Sequence, residues 1–196
     1  LRDLTARWLT APRLAVGDGH LGRWGALAKV YPKTAEQRCW NHTVVNVFDT
    51  LPKKLQGKAM LHLWVMAYAD TRHEAERRKE GFESGCAKHG QRQAARTLAR
   101  NWERMLSYFD SPQAQLEDLR TTNPVELPFA ARQLRIAAAR RCKRVDNATA
   151  IIWMLLLLTE RRVRRLDAPE LLKGVMHGVT FVNGVRTKTK PQEAAA

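Results

Sequence analysis

The sequence predicts an α/β fold that is mostly helical. Two observations carry this. Two short strand-like runs, Arg13-Leu-Ala-Val16 and Gln37-Arg-Cys-Trp40, lie near the start of the chain. Beyond them, from about Leu55 to Phe109, apolar residues recur at helical spacing and no strand-like alternation intervenes.

Taken in order, Leu1–Leu9 reads as the middle of a helix, with Leu1, Leu4, Trp8 and Leu9 on one face. The run Arg13–Val16 is ended by Gly17-Asp-Gly-His20, the pattern of a buried strand that runs into a loop. Trp24, Leu27, Ala28 and Tyr31 then recur at helical spacing until Pro32 stops them. After the second strand run, His42–Leu51 reads as a helix with Val44, Val45, Val47 and Phe48 as its apolar residues, and Pro52-Lys-Lys breaks it. Leu61, Trp64, Val65 and Tyr68 form the stripe of a further helix. Ala75 and Phe82 mark another, and Leu98, Trp102, Met105 and Leu106 a third. Asn123 before Pro124 is a turn or helix-cap signal that places Glu126 near the start of a helix. Ala148–Leu158 reads as a buried helix and Thr187–Ala196 as a frayed tail.

A length of 196 residues suggests one domain, or one with a sizeable insertion. An apolar fraction of 44% with six tryptophans is enough for a packed core and excludes wholesale disorder. Lys and Arg total 34 against 19 Asp and Glu, a formal charge of +15. Such an excess points to a polyanion, most simply nucleic acid, with an acidic membrane surface as the other choice. Between Arg132 and Arg165 ten residues are basic, and the only acids are Asp146 and Glu160. The longest apolar run, Ile151–Leu158, falls far short of the ~20 residues that span a bilayer. No secretory signal opens the chain, and Cys39, Cys86 and Cys142 are too few and too scattered for a disulfide framework, so a cytoplasmic location is expected.

Asp18 is the most informative candidate. A carboxylate just past a strand, between Gly17 and Gly19, is rigidly supported and suits a hard divalent cation; Gly-Asp-Gly is equally ordinary turn chemistry. Glu126, in the first turn of a helix, either serves the helix dipole or shares a cation with Asp18. His20, beside Asp18, suits a phosphate contact as well as a cap. Cys39-x-x-His42 and Cys86-x-x-His89 together count the four soft ligands of a structural zinc site, although nothing requires the two pairs to meet.

Three motifs in order, Val16-Gly-Asp-Gly-His-Leu-Gly-Arg-Trp24, Gln37-Arg-Cys-Trp-Asn-His42 and Leu119-Arg-Thr-Thr-Asn-Pro-Val-Glu126, resemble the Mutator-type transposases of bacterial insertion sequences. The ending Gly178-Val-Thr-Phe-Val-Asn-Gly184 is also similar, so the resemblance runs from about Leu1 to Val185. It implies an RNase H-like core interrupted by an all-helical insertion. The expected organisation is a first part of the core over 1–52, the insertion over 53–115, C-terminal helices with a basic DNA-facing segment over 116–186, and a flexible tail over 187–196.

The resemblance further implies DDE chemistry, in which Mg²⁺ (or Mn²⁺) ions held by three carboxylates promote cutting and joining of DNA strands. Asp18 is then the second catalytic and metal-holding acid and Glu126 the third, while Cys39 and His42 order the site or contact DNA. Arg132, Arg135, Arg140, Arg141, Lys143 and Arg144 are expected to hold the backbone of double-stranded DNA, both element ends and target. A homodimer or higher oligomer, associated with the bacterial nucleoid and not with a membrane, is implied. The first acid is expected upstream of Leu1, so the chain reads as the C-terminal part of a transposase, inactive by itself. The alternative is a non-catalytic DNA-binding or dimerisation remnant. The sequence departs from the family in placing Leu127-Pro128 after Glu126, where Ser is usual, and Val163 where a tryptophan is usual.

Overall fold

The structure is a computed structural model, and it describes residues 1–126, 129–130, 144–161, 163 and 165–187. The chain divides into two compact units, Leu1–Thr121 with Asp167–Ala196, and Thr122–Leu166. Helices dominate, and the described strands are few and short, as an α/β, mostly helical chain requires.

The first unit begins with α1 (Arg2–Ala6) and a βαβ element: β1 (Leu14–Gly17), α2 (Leu21–Val30) and β2 (Ala35–Arg38). The strands pair in parallel, from Leu14 opposite Ala35 to Gly17 opposite Arg38. Parallel neighbours need a crossover, and α2 supplies it, burying Trp24, Leu27 and Tyr31 against Ala15 and Val30. Tyr31 donates its hydroxyl to the Leu9 carbonyl at 2.9 Å, and Thr34 donates to the Pro12 carbonyl at 2.7 Å. These bonds tether Leu9 and Pro12 beyond the early end of the expected first helix, where the Trp8 and Leu9 N–H groups bond back to the Thr5 and Leu4 carbonyls at 3.0 Å. Trp8 leaves the helical path with φ +73° and is 90% exposed. β1 itself is half-buried along its length, not buried as its apolar run predicts; among the described residues it has β2 as its only strand partner.

β2 falls two residues earlier than expected, and Trp40 opens α3 (Trp40–Phe48). The helical stretch that follows comprises α4 (Lys53–Ala67), α5 (Arg72–Lys88), α6 (Arg92–Ala99), α7 (Trp102–Met105) and α8 (Leu116–Arg120), with 3₁₀ turns at Ser107–Asp110 and Gln113–Gln115. The Thr71 hydroxyl accepts the Glu74 N–H at 3.2 Å, and the Glu74 carboxylate pairs with Arg78 one turn on at 2.6 Å, so α5 starts with both its cap and its first ion pair in place. One core joins α3 to this stretch: Trp40 meets the edge of Trp102 at 5.9 Å, and Leu63, Ala75, Leu98 and Met105 are fully buried.

Of the apolar stripe expected on α4, Trp64 is half-buried and packs against the core, but the other three residues face out. Leu61, Val65 and Tyr68 are 69%, 49% and 56% exposed, and the buried side is Ala59, Leu63, Met66 and Ala67. Both stripes are apolar; the buried one carries the small residues that let neighbouring helices approach. The third expected helix is broken at Arg100-Asn101 into α6 and α7, yet Leu98, Trp102, Met105 and Leu106 are all buried as their spacing predicts.

Gln37, fully buried on β2, joins the sheet to the helices. Its side-chain amide donates to the carbonyls of Arg38 and Met105 at 2.8 and 3.1 Å and accepts the Tyr108 N–H at 2.8 Å. Trp40 donates its indole N–H to the same Met105 carbonyl at 3.0 Å. A hairpin absent from the sequence reading, β3 (Phe181–Val182) and β4 (Val185–Arg186), closes the unit. Asn183 and Gly184 turn it with φ of +49° and +80°, as the tight two-residue hairpin turn requires. Gly184 exchanges backbone bonds with Phe109 and Gln113 at 3.1 and 3.0 Å, and Asn183 accepts the Arg72 N–H at 2.9 Å.

In the second unit residues 123–126 and 129–130 are helical, and a longer helix runs Val145–Glu160. None of that helix's residues is buried, and Trp153 is 63% exposed, against the sequence expectation. An apolar run sets helix formation, but burial depends on a neighbour that the run does not specify. Among the described residues no helix is long and apolar enough to cross a membrane.

Replacing Gln37 by Leu leaves the Tyr108 N–H and the Arg38 carbonyl without their buried partners. The expected cost is about 2 kcal/mol, and the thermal midpoint followed by circular dichroism should fall by about 4–8 °C. An unchanged midpoint would remove Gln37 from this role.

Candidate functional site

Asp18 is the first residue past β1, and the glycines on either side of it have separate steric tasks. A Cβ on Gly17 would press on the Trp24 ring at 2.9 Å, so the absent side chain lets α2 close on the strand. Gly19 has φ +87°, and a Cβ there would fall on the Arg38 guanidinium, which crosses the loop at that point. The Gly-Asp-Gly pattern thus encodes both a turn and the passage of a cation beside the carboxylate.

The carboxylate uses both oxygens. Oδ1 accepts the His20 N–H at 3.1 Å, an Asx turn that starts α2, and Oδ2 pairs with Arg23 at 3.0 Å. Burial pushes the carboxyl up, but the His20 N–H and the charge of Arg23, followed by His42 and His20, outweigh it and hold it below its usual 3.8. Arg38 is 7% exposed and donates Nε–H to Thr43 Oγ1 at 3.3 Å. Burial lowers its pKa, Asp18 and Cys39 raise it, and the cations of Arg100 and Arg104 lower it again, for a net downward shift.

Cys39 is fully buried at the N-terminus of α3. Its N–H donates to the Gly17 carbonyl at 2.8 Å, and its carbonyl accepts the Thr43 hydroxyl at 3.1 Å. His42, half-buried in the first turn of α3, is close enough for its charge to act on Asp18. The fold therefore brings Asp18, His20, Cys39 and His42 to one edge of the βαβ element. An ionised oxygen donor at a strand end, in a position that already attracts guanidinium charge, suits a hard divalent cation. Among the described residues no three His, Cys, Asp or Glu side chains gather in a metal-binding group. The four-ligand zinc alternative is not formed there, and Cys86 packs into the helical core, where burial pushes its thiol up.

Glu126 belongs to the second unit, where it is exposed at the fourth of the helical residues 123–126. Thr122 donates its hydroxyl to Glu126 Oε1 at 2.5 Å, and its carbonyl accepts the Glu126 N–H at 3.0 Å. Asn123 is already helical, so the cap falls on Thr122, one residue earlier than expected, and Pro124 lies in the first turn as expected. Arg144 is exposed at the N-cap of the helix Val145–Glu160. Arg132, Arg135, Arg140, Arg141 and Lys143 lie outside the described residues.

Sequence reasoning missed Arg23 and Arg38. The sequence carried no signal for Arg38: the expected strand run was Gln37–Trp40, and only the observed register of β1 with Ala35–Arg38 sets Arg38 opposite Gly17, next to Asp18. Arg23 stands in the first turn of α2, where a residue reaches back over the loop that precedes it.

Among known proteins, the family described as "Transposase, Mutator family" matches residues 1–162. The chain is 35% identical over 187 residues to the transposase for insertion sequence element IST2 of Acidithiobacillus ferrooxidans, covering 94% of this chain and 62% of the relative. It is 33% identical over 184 residues to the transposase for insertion sequence element IS6120 of Mycolicibacterium smegmatis, covering 94% and 57% respectively. A match to the transposase for insertion sequence element ISRM5 of Rhizobium meliloti is 29% identical over 126 residues, 63% of this chain and 31% of the relative. The chain thus spans about three-fifths of the length of the first two relatives.

Because the Asp18 pKa is depressed on folding, its contribution to stability is present above the unfolded value and is lost as pH falls through the folded one. Asp18→Asn should therefore be less stable than the parent at pH 7, by under about 1 kcal/mol for so exposed a pair. Urea melts at descending pH should show the gap closing below about pH 4. A gap that widens in acid would contradict the assigned charge environment.

Proposed function

The chain belongs to the Mutator transposase family, and from that premise we propose that it carries part of an RNase H-like catalytic core that cuts and joins double-stranded DNA at the ends and target of an insertion sequence by DDE phosphoryl transfer. The observation that carries the reading is Asp18. It is an ionised carboxylate fixed just past a strand end by the His20 N–H, with the family's Cys39-x-x-His42 packed on the same edge.

Asp18 and Glu126 are the residues that would hold Mg²⁺, or Mn²⁺ in its place, which when bound would supply charge neutralisation at phosphorus and lower the pKa of an attacking hydroxyl. The protein's own share is positional. The Asx turn fixes the direction of the Asp18 carboxylate, and the Cys39 N–H holds the start of α3 against the end of β1. His42 and His20 present imidazoles beside Asp18, where a phosphate oxygen or a leaving hydroxyl needs a hydrogen-bond donor. The basic stretch that includes Arg132, Arg135, Arg140, Arg141, Lys143 and Arg144 would grip the DNA backbone and give affinity without base readout. Cutting at two element ends calls for two copies of such a site, which is the reason to expect a homodimer or larger assembly.

Titration calorimetry with Mn²⁺ tests the site. The full chain should bind Mn²⁺ weakly, Asp18→Ala should abolish the binding, and Glu126→Gln should weaken it. Binding that is unaltered in Asp18→Ala would refute the assignment.

A further inference from the structure

We propose that Arg38, flanked by Arg23 and Arg104, seats a backbone phosphate of duplex DNA at the edge beside Asp18. This assigns the phosphate grip at the site to the sheet and the helical stretch, and it rests on the reading that the protein acts on DNA. Guanidinium groups from three different elements reach this edge, through Asp18, Gly19 and Glu36 in turn. Arg23 projects from α2 with its side chain 70% exposed and pairs with Asp18. Arg38 ends β2, nearly buried, its guanidinium lying against Gly19. Arg104 comes from α7 with its side chain 45% exposed and pairs with Glu36 at 2.7 Å. Glu36 and Arg38 are two apart on one strand and so share a side of it. The charge of Arg100, between α6 and α7, also reaches Arg38.

Two ion pairs, Arg23–Asp18 and Arg104–Glu36, thus lie on either side of Arg38, which also feels the charges of Arg100 and Arg104. Like charges repel, and a buried guanidinium is costly without an anion. Among the described residues no carboxylate lies within ion-pair distance of Arg38; its one side-chain hydrogen bond is to a neutral threonine. A phosphodiester, with paired oxygens for planar guanidinium forks, fits that deficit. The cations are also set in advance. The Gln37 amide ties β2 to Met105 and Tyr108, which fixes α7, and with it Arg104, relative to Arg38. A site assembled before the ligand arrives loses less on binding than loose surface side chains do.

Glu36 gives the proposal its sharpest consequence, since it competes with the phosphate for Arg104. Fluorescence anisotropy of the full chain with a labelled duplex, over about 50–200 mM salt, reads each contact as a change in salt dependence. Arg23→Gln and Arg104→Gln should each lower the slope of log K against log salt by about one and weaken binding several-fold. Glu36→Gln should tighten binding by releasing Arg104. Arg77→Gln, on the exposed side of α5, should match the parent. Thermal melts confirm that each variant is folded. Parental slopes in both Arg23→Gln and Arg104→Gln, or weaker binding in Glu36→Gln, would overturn this site alone. A parent that shows no salt-dependent DNA binding would overturn the proposed function itself, and this site with it.

Discussion

One buried amide sets the geometry of the first unit. Gln37 has no contact with solvent, and its side chain makes three hydrogen bonds, two donated and one accepted. A single such bond contributes about 1 kcal/mol net, but a buried amide left unpaired costs about 1–3 kcal/mol per group. The joint is therefore close to all-or-none: the helical stretch either docks on β2 in one register or leaves several polar groups stranded. Met105 contributes to both sides of it. Its side chain is fully buried in the helical core, and its carbonyl takes the Gln37 amide and the Trp40 indole, one on each lone pair. From this point outward the positions of Arg38, Trp40 and Arg104 follow, because each is on an element that the joint fixes.

The electrostatics at Asp18 depend on that arrangement. A lone carboxylate at a strand end would be raised by partial burial. Here the turn donates the His20 N–H and Arg23 of α2 brings a guanidinium, so the ionised form wins. The two glycines make room for this. Gly17 admits Trp24 and closes α2 on the strand, which places Arg23, and Gly19 admits the Arg38 guanidinium. A turn reading and a site reading of Gly-Asp-Gly are thus not rivals, because the turn is what aims the carboxylate.

Much of this was legible in the sequence. The run at residues 13–16, the helix that Pro32 ends, and the long helical stretch all appear where spacing and punctuation place them. Asp18, His20, Cys39 and His42 were recognisable as a motif, and they do share an edge. What was not legible has physical causes. The first helix ends where Trp8 takes a positive φ, a conformation that a tryptophan does not announce. The inward side of α4 depends on which neighbours arrive, since two of its stripes are apolar. The terminal hairpin has strands of two residues, too short to alternate, and its one sequence signal, the Asn-Gly pair at 183–184, went unread. Arg38 is informative only when the parallel register is known.

The two buried arginines of the first unit show what is particular about that register. Arg120, at the end of α8, is as deeply buried as Arg38, but its charge is met inside the core: the guanidinium lies 4.0 Å from the Tyr68 ring centre and 5.3 Å from that of Tyr108. Burial keeps the Tyr108 phenol up and neutral against the pull of Arg120, so its hydroxyl stays free to donate to the Ala67 carbonyl at 2.9 Å while its face meets the cation. Aromatic faces there stand in for an anion, while the buried Arg120 Nε–H finds no hydrogen-bond partner among the described residues. Arg38 has no such ring among the described residues. Its nearest compensation is Asp18, itself shared with Arg23, at a rim where Arg104 adds further positive charge. Stability alone would have been served by the Arg120 arrangement. Arg38 is instead a cation left under-compensated next to an ionised carboxylate, the deficit from which the phosphate contact was proposed.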